Sequence, residues 1–331
     1  MPLPITILID DPAPLVNAFW WHASATQKTD DPRQADGQPV PREVPVDFMA
    51  EFCDVVEEHG IRGKFSVLPY PIGLGSIVDG WEGCDRAGME RWLTLTRDRV
   101  VPLMDITPEI LTHAEAIDIE SMTLLDENEQ DWASHQTETT LTPYIALSLR
   151  LLNQVGLEAN GVTSPWFFGH DVEPDYQRAI RNAMQEVNGR GQTWYFLHIQ
   201  LEGTDFHSQV VYREGEQWLV SLCSQCKDYL WATMDTTDES DAYVRSVADQ
   251  YLTEDGRKGR FAELYHAGTP IVFHTHWQSF YSNGRGTGLR ALAEVARRMR
   301  NVWGNDVRWV KCSELAGELA DGLDKHFARR E

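Results

Sequence analysis

The stretch ITILIDDPAPLVNAFWWH, Ile5 to His22, opens with five apolar residues and then presents two carboxylates, Asp10 and Asp11, held from behind by Pro12. ITILI reads as a buried strand by its length and β-branching. Neighbouring side chains of a strand point to opposite faces, so Asp10 and Asp11 share one site only if the chain bends after them, which Pro12 favours. IRGKFSVL (61–68) reads as the next strand. Between the two, VDFMAEFCDVVEEHG places Phe48, Phe52, Val55 and Val56 on one helical face and stops at Gly60. The unit is strand, helix, strand.

The pattern continues along the chain. Thr142 and Pro143 read as the cap and first residue of a helix before YIALSLRLLNQVG, and ANGVTSP as a strand running into a polar tip. Glu173 to Val187 has helical spacing, TWYFLHIQ is a strand, and SQVVYREGEQWLVSL folds as a hairpin about Glu214 and Gly215. TPIVFHTH is a strand, Gly288 to Val302 an amphipathic helix, DVRWVKC a strand and SELAGELADGL a closing helix capped by Ser313. No linker, repeat or low-complexity tract divides these units. The expectation is one α/β domain over 1–331, a distorted (β/α)7-type barrel with a β-hairpin inserted near 205–225.

Composition narrows the partners. The chain has 331 residues, 42% hydrophobic, with a formal net charge of -22 and no basic stripe, which argues against nucleic acid and anionic membranes. MPLPITILIDD has no basic n-region, long apolar core or cleavage site, and no run is long enough to span a bilayer, so a cytoplasmic location is expected, a processed mature chain being the alternative. Five scattered cysteines suit free thiols; Cys223 and Cys226 have CxxC spacing but no second ligand pair nearby. A homo-oligomer is left open, with the hairpin either covering the site or making the contact.

In parallel α/β folds function gathers at the carboxyl ends of strands. Those ends carry Asp10 and Asp11; Glu109 and His113 in ITPEILTHAEAID; Ser164 and Trp166 in GVTSPWFFGHD; and His274, His276 and Trp277 in IVFHTHWQSFY. A divalent cation beside the two Asp residues keeps one ionised while the other accepts a proton from acidified water. His113 is a candidate ligand, with Glu109 or Asp118 adding an oxygen or orienting the ring. His274 and His276 share a strand face, and His276 suits a general acid. The tract Asn17 to His22, including Trp21, reads as a loop over this corner. Trp166 and Trp277 suit stacking on sugar faces, and Arg285 in SNGRGTG is a candidate to reach the substrate. Each residue alone also has a structural explanation: Asp as a turn cap, His bonded to a carbonyl, Trp as core filling.

Taken in order, ILIDD, ILTHAEAID, SPWFFG and FHTHW resemble the motifs of the NodB-like polysaccharide deacetylases, within the wider glycoside hydrolase and deacetylase barrel group, over roughly Ile5 to Trp277. The resemblance implies hydrolysis of N- or O-acetyl groups on a carbohydrate by zinc-activated water, with Asp10 as base, Asp11 and His113 as ligands and His276 as acid. Two departures stand out. Ile117 occupies the position four after His113 where the family has histidine, so the third ligand falls to Asp118, Glu109, His22 or none; Ser164 replaces the arginine that orients the base. Two other readings remain: a glycoside hydrolase pairing Asp10 or Asp11 with Glu109, Asp171 or Glu173, and a catalytically silent carbohydrate-binding barrel.

Overall fold

The computed structural model describes residues 1–322. Its first strand, β1 (Leu3–Asp10), is buried at every position. α1 (Ala18–Gln27), α2 (Val46–His59), β2 (Gly63–Val67), α3 (Arg86–Leu95) and β3 (Met104–Pro108) follow. β1 runs parallel to β2 through Ile7↔Gly63, Leu8↔Lys64 and Ile9↔Phe65, and β2 to β3 from Gly63↔Met104 to Val67↔Pro108. Gly63 permits that approach: a Cβ there falls 1.9 Å from the Ile7 carbonyl oxygen. Next come β4 (Glu115–Asp118) and β5 (Thr123–Asn128), an antiparallel hairpin, then α4 (Glu129–Ala133), α5 (Glu138–Gln154), β6 (Gly161–Thr163) and α6 (Glu173–Asn188). The third part holds β7 (Gln192–Ile199), β8 (Gln209–Glu214), β9 (Gln217–Ser224), α7 (Asp241–Tyr251) and α8 (Arg260–Ala267). β10 (Ile271–His276), α9 (Trp277–Tyr281), α10 (Thr287–Trp303), β11 (Val307–Trp309) and α11 (Cys312–Ala320) complete it.

β10 pairs with the other edge of β1 from Ile5↔Ile271 to Asp10↔His276, so the two strands end side by side. β6, β7 and β9 form a second parallel group. The groups approach at two seams. At one, Glu109 bridges Thr163 and Ile110 N–H donates to Thr163 O at 3.2 Å; at the other, Gln225 N–H donates to Val272 O at 2.9 Å. The result is a barrel-like ring of parallel strands that continuous ladders do not close.

Side-chain alternation sorts the interior from the exterior. Ile5, Ile7 and Ile9 face outward into the main apolar cluster, with Phe48, Phe52 and Val56 of α2. Leu8 faces inward with Trp194, Phe196, Val220, Leu222 and Val272, and Leu315, Ala316 and Leu319 of α11 pack against this inner cluster. The inward row beginning at Leu8 therefore ends, at the carboxyl side, on Asp10.

Several local expectations shift. Asn17 to His22 is not a loop: Asn17 caps α1, its Oδ1 accepting from Phe19 N–H at 3.2 Å. Thr142 and Pro143 lie inside α5, which starts one turn earlier behind Thr137. Lys311, not Ser313, occupies the cap position of α11. Within 205–225 only β8 is an antiparallel addition; β9 belongs to the ring because it pairs parallel with β7 from Gln192↔Trp218 to Ile199↔Ser224.

Candidate active site

Simple alternation would carry Asp11 away from Asp10, but Asp11 adopts a left-handed backbone with φ 65°. Its N–H donates to Glu109 Oε2 at 2.6 Å, its Oδ2 accepts from Gln278 Nε2 at 2.7 Å, and its Oδ1 lies 3.0 Å from His113 Nε2. Ile110, His113 and Trp166 are left-handed as well, with φ of 39°, 56° and 47°. Such conformations each cost roughly 1–3 kcal/mol for ordinary residues and persist where their surroundings enforce them. At His113 the enforcing group is the buried Glu129 carboxylate, which accepts from Thr112 N–H at 3.0 Å, His113 N–H at 2.8 Å and Tyr144 OH at 2.7 Å.

Asp11, Glu109 and His113 each offer one ligand atom, and these atoms all lie within 4.8 Å of one another in buried surroundings. Two features make this group fit a cation. Asp11 Oδ1 and His113 Nδ1 are buried without a hydrogen-bond partner, and the Oδ1–Nε2 approach of 3.0 Å lacks hydrogen-bond geometry. The protonation states diverge as well. Burial, then the charges of Asp11 and Asp10, push the Glu109 carboxyl well above its ordinary range. Burial opposes ionisation of Asp11 too, but the adjoining His113, the charge of His276 and the Gln278 hydrogen bond hold it well below. A divalent ion would remove the proton from Glu109 and bring all three groups into one set.

Asp10, on the inward row, forms an ion pair with Lys64 Nζ, whose residue is 0% exposed. Lys64 also donates to Ser66 Oγ, which donates to Thr163 Oγ1 at 2.8 Å and accepts from Thr107 Oγ1 at 3.0 Å. The Phe196 ring centroid lies 5.0 Å from Nζ. A buried ammonium needs such a full set of partners.

At the end of β10, His276 Nδ1 lies 2.8 Å from Asp228 Oδ2 and its ring sits edge-on to Trp231, centroids 4.6 Å apart. Burial lowers the imidazole's affinity for a proton, but the Asp228 hydrogen bond and the charges of Asp11, Asp228 and Asp10 outweigh it and raise the pKa to about 9. Its neighbour His274 bonds Ser224 Oγ through Nδ1 at 2.8 Å, and burial holds its pKa below the usual value. The two histidines of FHTHW thus carry different charge at neutral pH.

These groups floor a cavity of about 420 Å³, with His22, Trp166 and Trp231 among its walls. The Trp166 and His113 rings are 4.3 Å apart, and Trp166 and Trp231 remain 43% and 49% exposed. His22 stands 5.3 Å from the His113 ring centre, its pKa pushed down to about 4, first by burial and then by His113. His22, His113 and Trp166 also line an adjoining cavity of about 660 Å³.

Of the residues singled out in the sequence, Asp10, Asp11, His22, Glu109, His113, Trp166, His274 and His276 line the first cavity together. Seven others are placed elsewhere, among them Asp171, beside His170 at 3.1 Å, and Glu173, 2.7 Å from His198 Nε2, neither of which lines the cavity. Asp118 ends β4 in an exposed turn, its Oδ1 accepting from Glu120 N–H at 2.9 Å and Ser121 N–H at 3.1 Å. Asn17 donates to Pro41 O at 2.7 Å as part of its cap. Trp21 lines the adjoining cavity, edge-on to Trp20. Trp277 is 0% exposed among Phe48, Phe52 and Phe65. Arg285 bonds Gln34 Oε1 and pairs with Asp36 Oδ2 at 3.1 Å, tying down the segment before α2. Sequence reading missed Lys64, Asp228, Gln278 and Glu129. Lys64 carried the one available signal, a lone ammonium inside a short, fully buried strand.

Searches for similar proteins return no matching family model and no matching curated protein. Among solved structures, the chain is similar to one assigned as a polysaccharide deacetylase from Mycobacterium smegmatis, at TM-score 0.49 and 15% identity, covering 83% of this chain and 77% of that one. It is also similar to a 4-alpha-glucanotransferase from Thermococcus litoralis, at TM-score 0.48 and 12% identity, covering 96% of this chain but only 40% of that one.

Proposed function

We propose that this protein is a metal-dependent hydrolase that removes an acyl group from an N- or O-acylated carbohydrate. The observation that carries the reading is the meeting, on one cavity floor, of the buried Asp11–Glu109–His113 group with a protonated His276 and an ion-paired Asp10. The parallel strands β1, β2, β3, β6, β7, β9 and β10 support reading the fold as a distorted (β/α)7-type barrel.

Asp11, Glu109 and His113 would hold the ion; one imidazole with two carboxylates lies within the ligand range of zinc and, with its oxygen share, of manganese. Bound there, a divalent cation supplies Lewis acidity toward an acyl oxygen and acidifies water. The chain's own groups do the rest. Asp10, ion-paired with Lys64, takes the proton of the attacking water. His276, held protonated by Asp228, gives its proton to the departing amine or alkoxide. Gln278 fixes Asp11 through its amide. Trp166 and Trp231 flank the mouth as flat, half-exposed surfaces suited to a sugar ring. The five cysteines, all free thiols, fit a reducing compartment.

The test is elemental analysis of the purified protein together with acid release from N- and O-acetylated oligosaccharides. Metal retained in both Asp11→Ala and His113→Ala would sink the assignment. One observation favours a second reading: Glu109 and Asp11 shift in opposite directions, as the acid and nucleophile of a glycosidase do. Glycosidic cleavage with no acid released would decide for it.

A further inference from the structure

The floor of the 420 Å³ cavity is polar, whereas its walls, His22 apart, are mostly apolar. Phe19 and Ala23 of α1, Leu197 and Ile199 at the end of β7, and Trp231 and Met234 beyond β9 line it. The polar side chains among the walls are largely committed to other protein groups. Both ends of the Gln27 amide are taken by Arg33, its Nε2 donating to the carbonyl at 2.8 Å and its Oε1 accepting the N–H at 2.9 Å. Ser164 Oγ is bonded to Tyr176 OH at 2.9 Å, and His274 Nδ1 to Ser224. Of the wall hydroxyls, Thr26 alone is uncommitted among the described residues. No lysine or arginine lines the cavity, so away from His276 on the floor its walls offer no counter-ion to an anionic substituent.

A sugar ring pressed against such walls would leave several hydroxyls desolvated and unpaired, which disfavours it there. Hydrocarbon gains there instead. The cavity is continuous with the reacting groups, so a substituent on the reacting centre can extend into it. We infer that the group removed is a hydrocarbon acyl chain longer than acetyl, lying along Ala23, Leu197 and Met234 toward the exposed Ile199, while the glycosyl part remains at the open mouth. The inference rests on the hydrolase reading above and adds the acyl chain to it.

The test uses the full chain loaded with a divalent metal and a series of N-acylglucosamines with acetyl, butanoyl, hexanoyl and octanoyl groups, following both acid and amine release. One fully buried methylene is worth about fourfold in affinity. The expected result is a kcat/KM at least tenfold higher for hexanoyl than for acetyl. Turnover that is flat or best with acetyl overturns this inference and leaves the hydrolase reading intact; no release of acid from any member overturns both. Two variants test placement. Ala23→Phe narrows the cavity and is expected to cut the hexanoyl-to-acetyl ratio at least fivefold. Ile199→Ser, at a residue 48% exposed where folding is not at stake, is expected to lower the octanoyl-to-butanoyl ratio. Ratios unmoved in both variants overturn the placement.

Discussion

His276 and Asp228 come from different strand ends, yet their side chains meet at 2.8 Å, and Asp228 is itself fixed by accepting from Trp231 N–H through Oδ1 at 3.0 Å. The pair sets the charge of His276, whose pKa rises. With the folded value near 9 and an ordinary value of 6.5, the stabilisation from protonating His276 is complete below about pH 6.5 and is lost as pH rises through about 9. The same proton serves as the acid, so kcat/KM is expected to fall on an alkaline limb near pH 9. Asp228→Asn should move that limb to lower pH. An unmoved limb in a pH–rate profile would remove Asp228 from this role.

Replacing the acid itself should separate chemistry from metal binding. His276→Ala is expected to keep its ion by elemental analysis and to lose roughly 10²–10⁴-fold in kcat. Near-normal turnover would take His276 out of the mechanism.

Lys64 and Asp10 make a buried pair, and breaking it from one side leaves an uncompensated charge. Lys64→Met is expected to cost about 3–5 kcal/mol in denaturant unfolding, and the double change with Asp10→Asn to recover much of that loss. Equal destabilisation in the single and double variants would show that the two side chains are not coupled.

The metal group makes a choice between carboxylates testable. Glu109→Ala should abolish the rise in melting temperature on adding Zn2+ or Mn2+, whereas Asp118→Ala, altering an exposed turn, should leave it. The reverse pattern would return Asp118 to the ligand set.

Two tryptophans near the site should behave oppositely. Trp277→Ala is expected to cost about 3–5 kcal/mol because it empties a core site between Phe52 and Phe65. Trp231→Ala, half exposed at the mouth, should change stability little and raise KM; a large stability loss there would make it a structural residue instead.

The strand ends were legible because β-branched runs that stop at polar residues announce themselves, and the register Asp10↔His276 follows once β1 and β10 are neighbours. What escaped depends on backbone turns and long-range pairing. Asp118 looked adjacent to His113 at nearly helical spacing, but His113 sits in a left-handed turn and Asp118 beyond it on a β-hairpin, so sequence proximity did not become proximity in space. Glu109 reaches Asp11 because β3 ends level with β1, a fact of barrel registration. Trp277 immediately follows a strand, but it starts α9, and the helix turns the ring back under the site. Asp228 lies in a connection whose partner is 48 residues away, and no local pattern marks it.

β1 has a consequence for how the chain is built. Ile5 pairs with both Ile271 and Trp309, and the inner cluster around Leu8 draws on Leu315 and Leu319. β1 is therefore enclosed by segments translated long after it, and the loop that must close runs from Ile5 to Trp309. Such long-range topology slows folding. During synthesis the unpaired edge and apolar faces of ITILI wait for these late segments, and the strand is exposed to wrong pairing until the ring is complete.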